Sequence, residues 1–203
     1  MVVLLSAGLI GLRYYRSLPQ NLRYLVYLIW CGLAVEAAAN LLLHWHRPNL
    51  WLVPIDVASE LWLLSLVYAW ALQSVTFTRW RPWLAGLFVL YAVLNLVLNF
   101  EPARFKPAVQ VIESLLVLGM AGLYFRKLLN ELRVPYLARD PMFWVSAGLV
   151  LYSLSKLLIA LFSNYLLEHY SRQLSLMVWT IHGLLTIVLY LCYLRALWLR
   201  PQN

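Results

Sequence analysis

Seven apolar runs separated by short polar joints make up nearly the whole chain, at about 1–15, 22–44, 50–73, 82–100, 107–129, 142–166 and 174–198. The breaks fall at clusters of Pro, Arg and Asn. Six runs are long enough to cross a bilayer as helices, because about 20 residues rising about 1.5 Å each span a hydrocarbon core of roughly 30 Å. The first run is short and closes at Arg13; it is expected either to span with local thinning and snorkelling or to start upstream. Every run is too long for a barrel strand. The pattern therefore predicts an all-α, polytopic, seven-transmembrane helical bundle, one domain over residues 1–203. Pro48, Pro54, Pro82, Pro107 and Pro141 are expected at or near helix starts, where a missing N–H costs little.

Polar residues interrupt the runs at helical spacing. Glu36, Asn40 and His44 recur every four residues, as do Tyr91, Asn95 and Asn99. Asp56 and Glu60 share a face of the third run, and Gln110 and Glu113 open the fifth. The sixth holds Tyr152, Ser155, Lys156, Ser163 and Asn164, and the seventh a one-face set of Trp179, His182 and Thr186. A carboxylate at the bilayer centre costs about 3 kcal/mol or more, so such groups are expected to face the bundle interior and one another.

Composition agrees with the pattern. The chain is 64% hydrophobic and 12% charged, where soluble domains run near half apolar and a quarter charged. MVVLLSAGLIGL lacks a basic leader and an evident cleavage site, so no signal peptide is expected. The net charge of +8 does not point to nucleic acid, because the basic residues are spread through short connections and line no single face. Cys31 and Cys192 both fall inside apolar runs and offer neither a disulfide framework nor metal-type spacing.

The basic residues do orient the chain. Eleven of them (Arg13, Arg16, Arg23, Arg79, Arg81, Arg126, Lys127, Arg133, Arg139, Arg195 and Arg200) fall on one side, against four (Arg47, Arg104, Lys106 and Arg172) on the other. The positive-inside rule then puts the N-terminus outside and the C-terminus in the cytoplasm of an inner (plasma) membrane. On that orientation runs of both directions place their costly residues in the outer half, while inner stretches such as LLSLVYAWAL and LLVLGMAGLYF read as almost purely apolar. The expectation is an outward-facing polar cavity about 10–15 Å below the outer surface by helix rise. Glu36, Asp56, Glu60, Glu113, Lys156 and His182 would line or floor it, with Asn40 and Asn95 as further ligand contacts. Plainer roles stand beside this one: Asp56 at the interface, the asparagines as interhelical hydrogen-bond partners, and Lys156 as half of a structural ion pair.

Two functional classes follow. The leading one is a sensor or receptor that binds a small polar or amphipathic ligand, or protons, and signals through a membrane or cytoplasmic partner docked on the basic face. The alternative is a membrane-embedded enzyme acting on a lipid or isoprenoid by carboxylate acid–base or metal-assisted chemistry. No metal is expected, and if one were bound its ligands would be Glu60, Glu113 and His182. A channel or transporter fits less well, since only one half looks polar and no broken helix is evident. A retinal protein would need its lysine on the last run, and Lys156, the lysine deep within a run, is on the sixth.

The strings VIESLLVLGMAGLYF, PMFWVSAGLVLY and VWTIHGLLTIVLYLCYLRALW resemble an uncharacterised family of small seven-span bacterial integral membrane proteins. The likeness covers runs three to seven and marks Glu60, Glu113 and His182 as its recurring polar positions. Some relatives are encoded near sensor kinases, so the resemblance implies a sensory setting. It carries no activity with it.

Overall fold

The computed structural model describes residues 2–47, 49, 51–98, 107–131, 137–169 and 172–199, leaving the side chains of 131, 162–169, 172–176 and 179 outside the description. Among the described residues the chain forms seven α-helices: α1 Val2–Arg13, α2 Gln20–His44, α3 Leu52–Leu72, α4 Val75–Leu98, α5 Pro107–Glu131, α6 Pro141–His169 and α7 Arg172–Trp198. Helices α2 to α7 are long and apolar enough to cross a membrane. Helix α1, with 12 residues, rises only about 18 Å. Pro107 and Pro141 begin α5 and α6, Pro54 lies in the first turn of α3, and Pro48 falls outside the described residues.

Helix α4 departs from expectation. Gln73 adopts a left-handed conformation (φ 50°) that ends α3, and Ser74 starts α4 at once. The Ser74 hydroxyl accepts from the Phe77 N–H at 3.4 Å, and its carbonyl from the Thr78 N–H at 2.9 Å. This is how an N-cap serine satisfies orphan donors. Helix α4 therefore begins at Val75 and not at residue 82, so Pro82 lies inside it. Arg79 and Arg81 ride on the helix, not in a connection. Pro82 has no N–H, so the Thr78 carbonyl loses its helical donor.

Contacts at the helix ends set the directions. Lys127, near the end of α5, donates to the carbonyls of Ala71 (3.0 Å) and Leu72 (2.9 Å) at the end of α3. Gly11, near the end of α1, lies against Val26 of α2 and Leu197 of α7. The Tyr124 hydroxyl of α5 donates to Asp140, whose other oxygen accepts the Met142 N–H at 3.0 Å and caps α6 beside Pro141. One end of the bundle, here the basic end, thus gathers Arg13, Arg79, Arg81, Arg126, Lys127, Arg139 and Arg195.

Principal packing partners run α1–α2–α3–α5–α6–α7 and back to α1, a closed cycle; α4 stands outside it against α3. The apolar core within the cycle includes Leu22, Leu64, Ala121, Leu149 and Leu197, while Leu87, Val97, Leu158 and Leu184 project from the outside. An apolar exterior around a partly polar interior is what a lipid solvent requires. The half near the basic end is less purely apolar than the sequence suggests. The fully buried Tyr68 bonds Ser146 at 3.0 Å and ties α3 to α6.

Without a hydrophobic force between helices in lipid, close approach at small residues does much of the packing. At Gly148 on α6 an added Cβ would lie 2.8 Å from Cys192 Cβ of α7, whereas one at Gly119 meets nothing within 4 Å. Overpacking of this kind costs about 1–3 kcal/mol. Gly148→Ala is expected to lower the thermal stability of the purified protein by that amount, with Gly119→Ala unchanged in the same melting assay.

Candidate functional site

Three helices meet at one lysine. Lys156, near the middle of α6, is 7% exposed, and its ammonium lies 3.0 Å from Glu60 Oε2 of α3 and 2.9 Å from Glu113 Oε2 of α5. The Glu60 contact is a hydrogen bond, while the Glu113 contact is an ion pair outside hydrogen-bond geometry. Glu113, at 1% exposure, is the more deeply buried carboxylate. It lies on the inner face of α5, beside the equally buried Ser114. A buried ion of either sign costs several kcal/mol unless paired, so each member of this triad depends on the others.

The triad continues into a ring stack. The Lys156 ammonium lies 5.5 Å from the centre of the Tyr152 ring, within cation–π range. Tyr152, one turn away, stacks on the His182 imidazole of α7 with centroids 5.4 Å apart and planes at 26°. His182 Nδ1 lies 3.0 Å from Ser155 Oγ, which fixes the ring from α6, and its carbonyl accepts from Thr186 Oγ1 at 2.9 Å.

Beside the triad lies a cavity of about 380 Å³ between α1, α2, α3, α6 and α7. It runs from Ala39 and Asn49, at the end opposite the basic one, down to Tyr193. Glu36, Asp56 and Glu60 line it together with Tyr152, Tyr190 and Tyr193. Glu60 belongs to both structures: its carboxylate pairs with Lys156 while its side chain faces the cavity.

Of the residues singled out from the sequence, Glu36, Asp56 and Glu60 share this cavity. Glu113 and Lys156 sit behind its wall, joined to it through Glu60, and His182 joins through Tyr152. Two lie elsewhere. Asn40 is exposed, does not line the cavity, and donates to the Glu36 backbone carbonyl at 2.9 Å. Asn95 is on α4, which packs outside the cycle. His44 and His46 are exposed. Asn99, Arg104, Lys106, Arg133 and Arg200, with the side chains of Ser163, Asn164, Arg172 and Trp179, lie outside the described residues. Among the described residues no three His, Cys, Asp or Glu side chains converge to hold a metal ion, so Glu60, Glu113 and His182 are not gathered as ligands.

The tyrosines of α7 were not anticipated. A signal was there: continuing the His182–Thr186 spacing by four reaches Tyr190, and three more residues reach Tyr193 on nearly the same face.

Fold and site together define a multi-pass α-helical membrane protein with a buried acidic centre. No protein-family model, curated protein or solved structure matches the chain.

Removing one partner of a buried ion pair costs about 3–5 kcal/mol, whereas neutralising the whole group is close to neutral. Lys156→Met alone is therefore expected to destabilise the protein by that amount in detergent melting. The triple variant Glu60→Gln, Glu113→Gln, Lys156→Met should recover most of the loss, and additive losses would show that the three groups are not coupled.

Proposed function

We propose that the protein is a sensor or receptor of the plasma membrane whose cavity receives a small amphipathic ligand with a cationic head. One observation carries this reading: Glu36, Asp56 and Glu60 share one cavity with Tyr152, Tyr190 and Tyr193. Carboxylates attract a cation, and tyrosine faces stabilise an ammonium by cation–π contact while covering its apolar part. At about 380 Å³ the cavity is within the usual range for small-molecule sites. Lys156 neutralises only part of the acidic charge, because its single ammonium is shared by Glu60 and Glu113. Occupancy of the cavity would be felt by α3 through Glu60, and by α5 and α6 through the triad. A partner protein docked on the basic end would read that change. The sensory setting implied by the resemblance to small seven-span bacterial membrane proteins points the same way.

The orientation belongs to this reading. With the basic end cytoplasmic, the cavity's upper end at Ala39 and Asn49 faces outward, as a receptor for an external ligand needs. Reporter fusions inserted between residues 132 and 136 are expected to be active on the cytoplasmic side, and activity on the far side would reverse the topology.

The binding test uses protein in phosphatidylcholine nanodiscs titrated with hexyltrimethylammonium, with hexanol as the uncharged control. Saturable binding of the cation alone is expected. Asp56→Asn should weaken it at least tenfold, about 1.4 kcal/mol, because a cavity-lining carboxylate is lost. Asn95→Ala should leave affinity unchanged, since α4 lies outside the cycle. Equal binding by the native protein and Asp56→Asn would remove the cavity from the account.

A further inference from the structure

The seam between α3 and α4 carries two depressions that differ in character and lie end to end. Nearer the basic end a depression of about 630 Å³ is lined by Trp70, Gln73, Ser74, Thr78, Arg79 and Arg81. Farther along the seam an apolar groove of about 680 Å³ is lined by Ile55, Trp62, Leu63, Gly86, Val89 and Val93, among others. Trp62 joins the two: it lines the groove, and the Arg81 guanidinium lies 5.7 Å from its ring centre. Arg81 Nη1 is buried without a hydrogen-bond partner among the described residues. A guanidinium held beside a membrane-facing seam with a donor to spare is a feature that the triad and its cavity do not use. Helix α4 packs principally on α3 alone, which leaves this seam open to lipid along its length.

We infer that the α3–α4 seam binds one anionic phospholipid from the leaflet at the basic end, its phosphate on Arg79 and Arg81 and an acyl chain in the apolar groove. Charge complementarity selects the occupant. Two guanidinium groups, with Ser74, Thr78 and Gln73 as neutral hydrogen-bonding groups, offer donors to phosphate oxygens, and among the described residues no carboxylate lines the depression. Trp70 borders the same depression, and indole rings favour headgroup depth. The groove also continues directly from the arginines: from Trp62, beside Arg81, it follows α3 to Ile55, seven residues or about 10 Å in the direction an acyl chain would take from a phosphate held there. Helix α4 presents Gly86 to the groove, and a Cβ there would meet nothing within 4 Å, so the space is available to an acyl chain.

That open space supplies the decisive variant. Gly86→Leu directs a side chain into the groove from a position where a Cβ meets nothing within 4 Å, whereas Arg79→Gln and Arg81→Gln remove the phosphate contacts and leave the groove intact. The full chain, delipidated in a neutral detergent, is titrated with phosphatidylglycerol, phosphatidylcholine and inorganic phosphate, and bound lipid is read by native mass spectrometry. Phosphatidylglycerol is expected to bind at one per chain and at least tenfold tighter than phosphatidylcholine. Arg79→Gln with Arg81→Gln should abolish that preference. Gly86→Leu should weaken long-chain phosphatidylglycerol at least fivefold while leaving its dihexanoyl form unaffected. Equal binding of the two long-chain lipids by the native protein, or phosphatidylglycerol retention unchanged in both variants, would overturn the assignment. So would displacement of the lipid by inorganic phosphate at equal concentration, which would make the depression a phosphate site with no role for the groove. Should the arginine variants fail to fold, the chain-length dependence of Gly86→Leu decides alone. Because none of these residues lines the cavity of α1, α2, α3, α6 and α7, the result is independent of the ligand proposed there.

Discussion

A lysine ammonium placed deep in a lipid-embedded bundle must find compensating charge or the fold does not form. Lys156 finds it on α3 and α5, and that requirement governs how three helices of the cycle are rotated. Turning α5 by one residue, about 100° at 3.6 residues per turn, would carry Glu113 from the interior toward lipid. The same rotation places Lys127, about four turns farther along α5, where it holds the last carbonyls of α3. Helix α3 is thus gripped from α5 at its end and from α6 at its middle. Tyr68 adds a third tie to Ser146 of α6.

With α3, α5 and α6 fixed, the polar groups on the remaining helices of the cycle fall into place around them. Glu36 comes from α2, Tyr190 and Tyr193 from α7, and Asp56 and Glu60 from the face of α3 that looks inward. Glu60 is the hinge between a closed polar centre and an open cavity, since one carboxylate serves both. Helix α4 takes no part in this arrangement. It follows α3 after a two-residue joint and touches the cycle mainly through that one neighbour, so its two faces divide between α3 and lipid.

Much of this could be read in the sequence because lipid punishes unpaired polarity. Seven apolar runs set the helices, and Glu36, Asp56 and Glu60 were expected in one cavity because a single polar interior is the cheapest place to gather them. The pairing of Lys156 with Glu113 and Glu60 also follows from charge economy, although which carboxylates it would choose depends on the α3–α5 and α5–α6 neighbours, which periodicity does not specify. Asn95 misled for that reason: its four-residue stripe is real, but α4 lies outside the cycle. Tyr190 and Tyr193 escaped notice because the same residue type serves as core, interfacial belt and cavity wall. The start of α4 was missed because Pro82 looked like a helix start, whereas the Ser74 cap had already begun the helix.

The close approach at Gly148 gives the two cysteines opposite chemical lives. Cys192 is buried, with its sulfur pressed toward the Gly148 backbone of the adjacent helix, so an alkylating reagent reaches it only when α6 and α7 part. Cys31 is half-buried on the cavity wall and is open to any reagent small enough to enter. The native chain therefore holds two thiol gauges, one for helix separation and one for access to the acidic chamber, without an engineered residue.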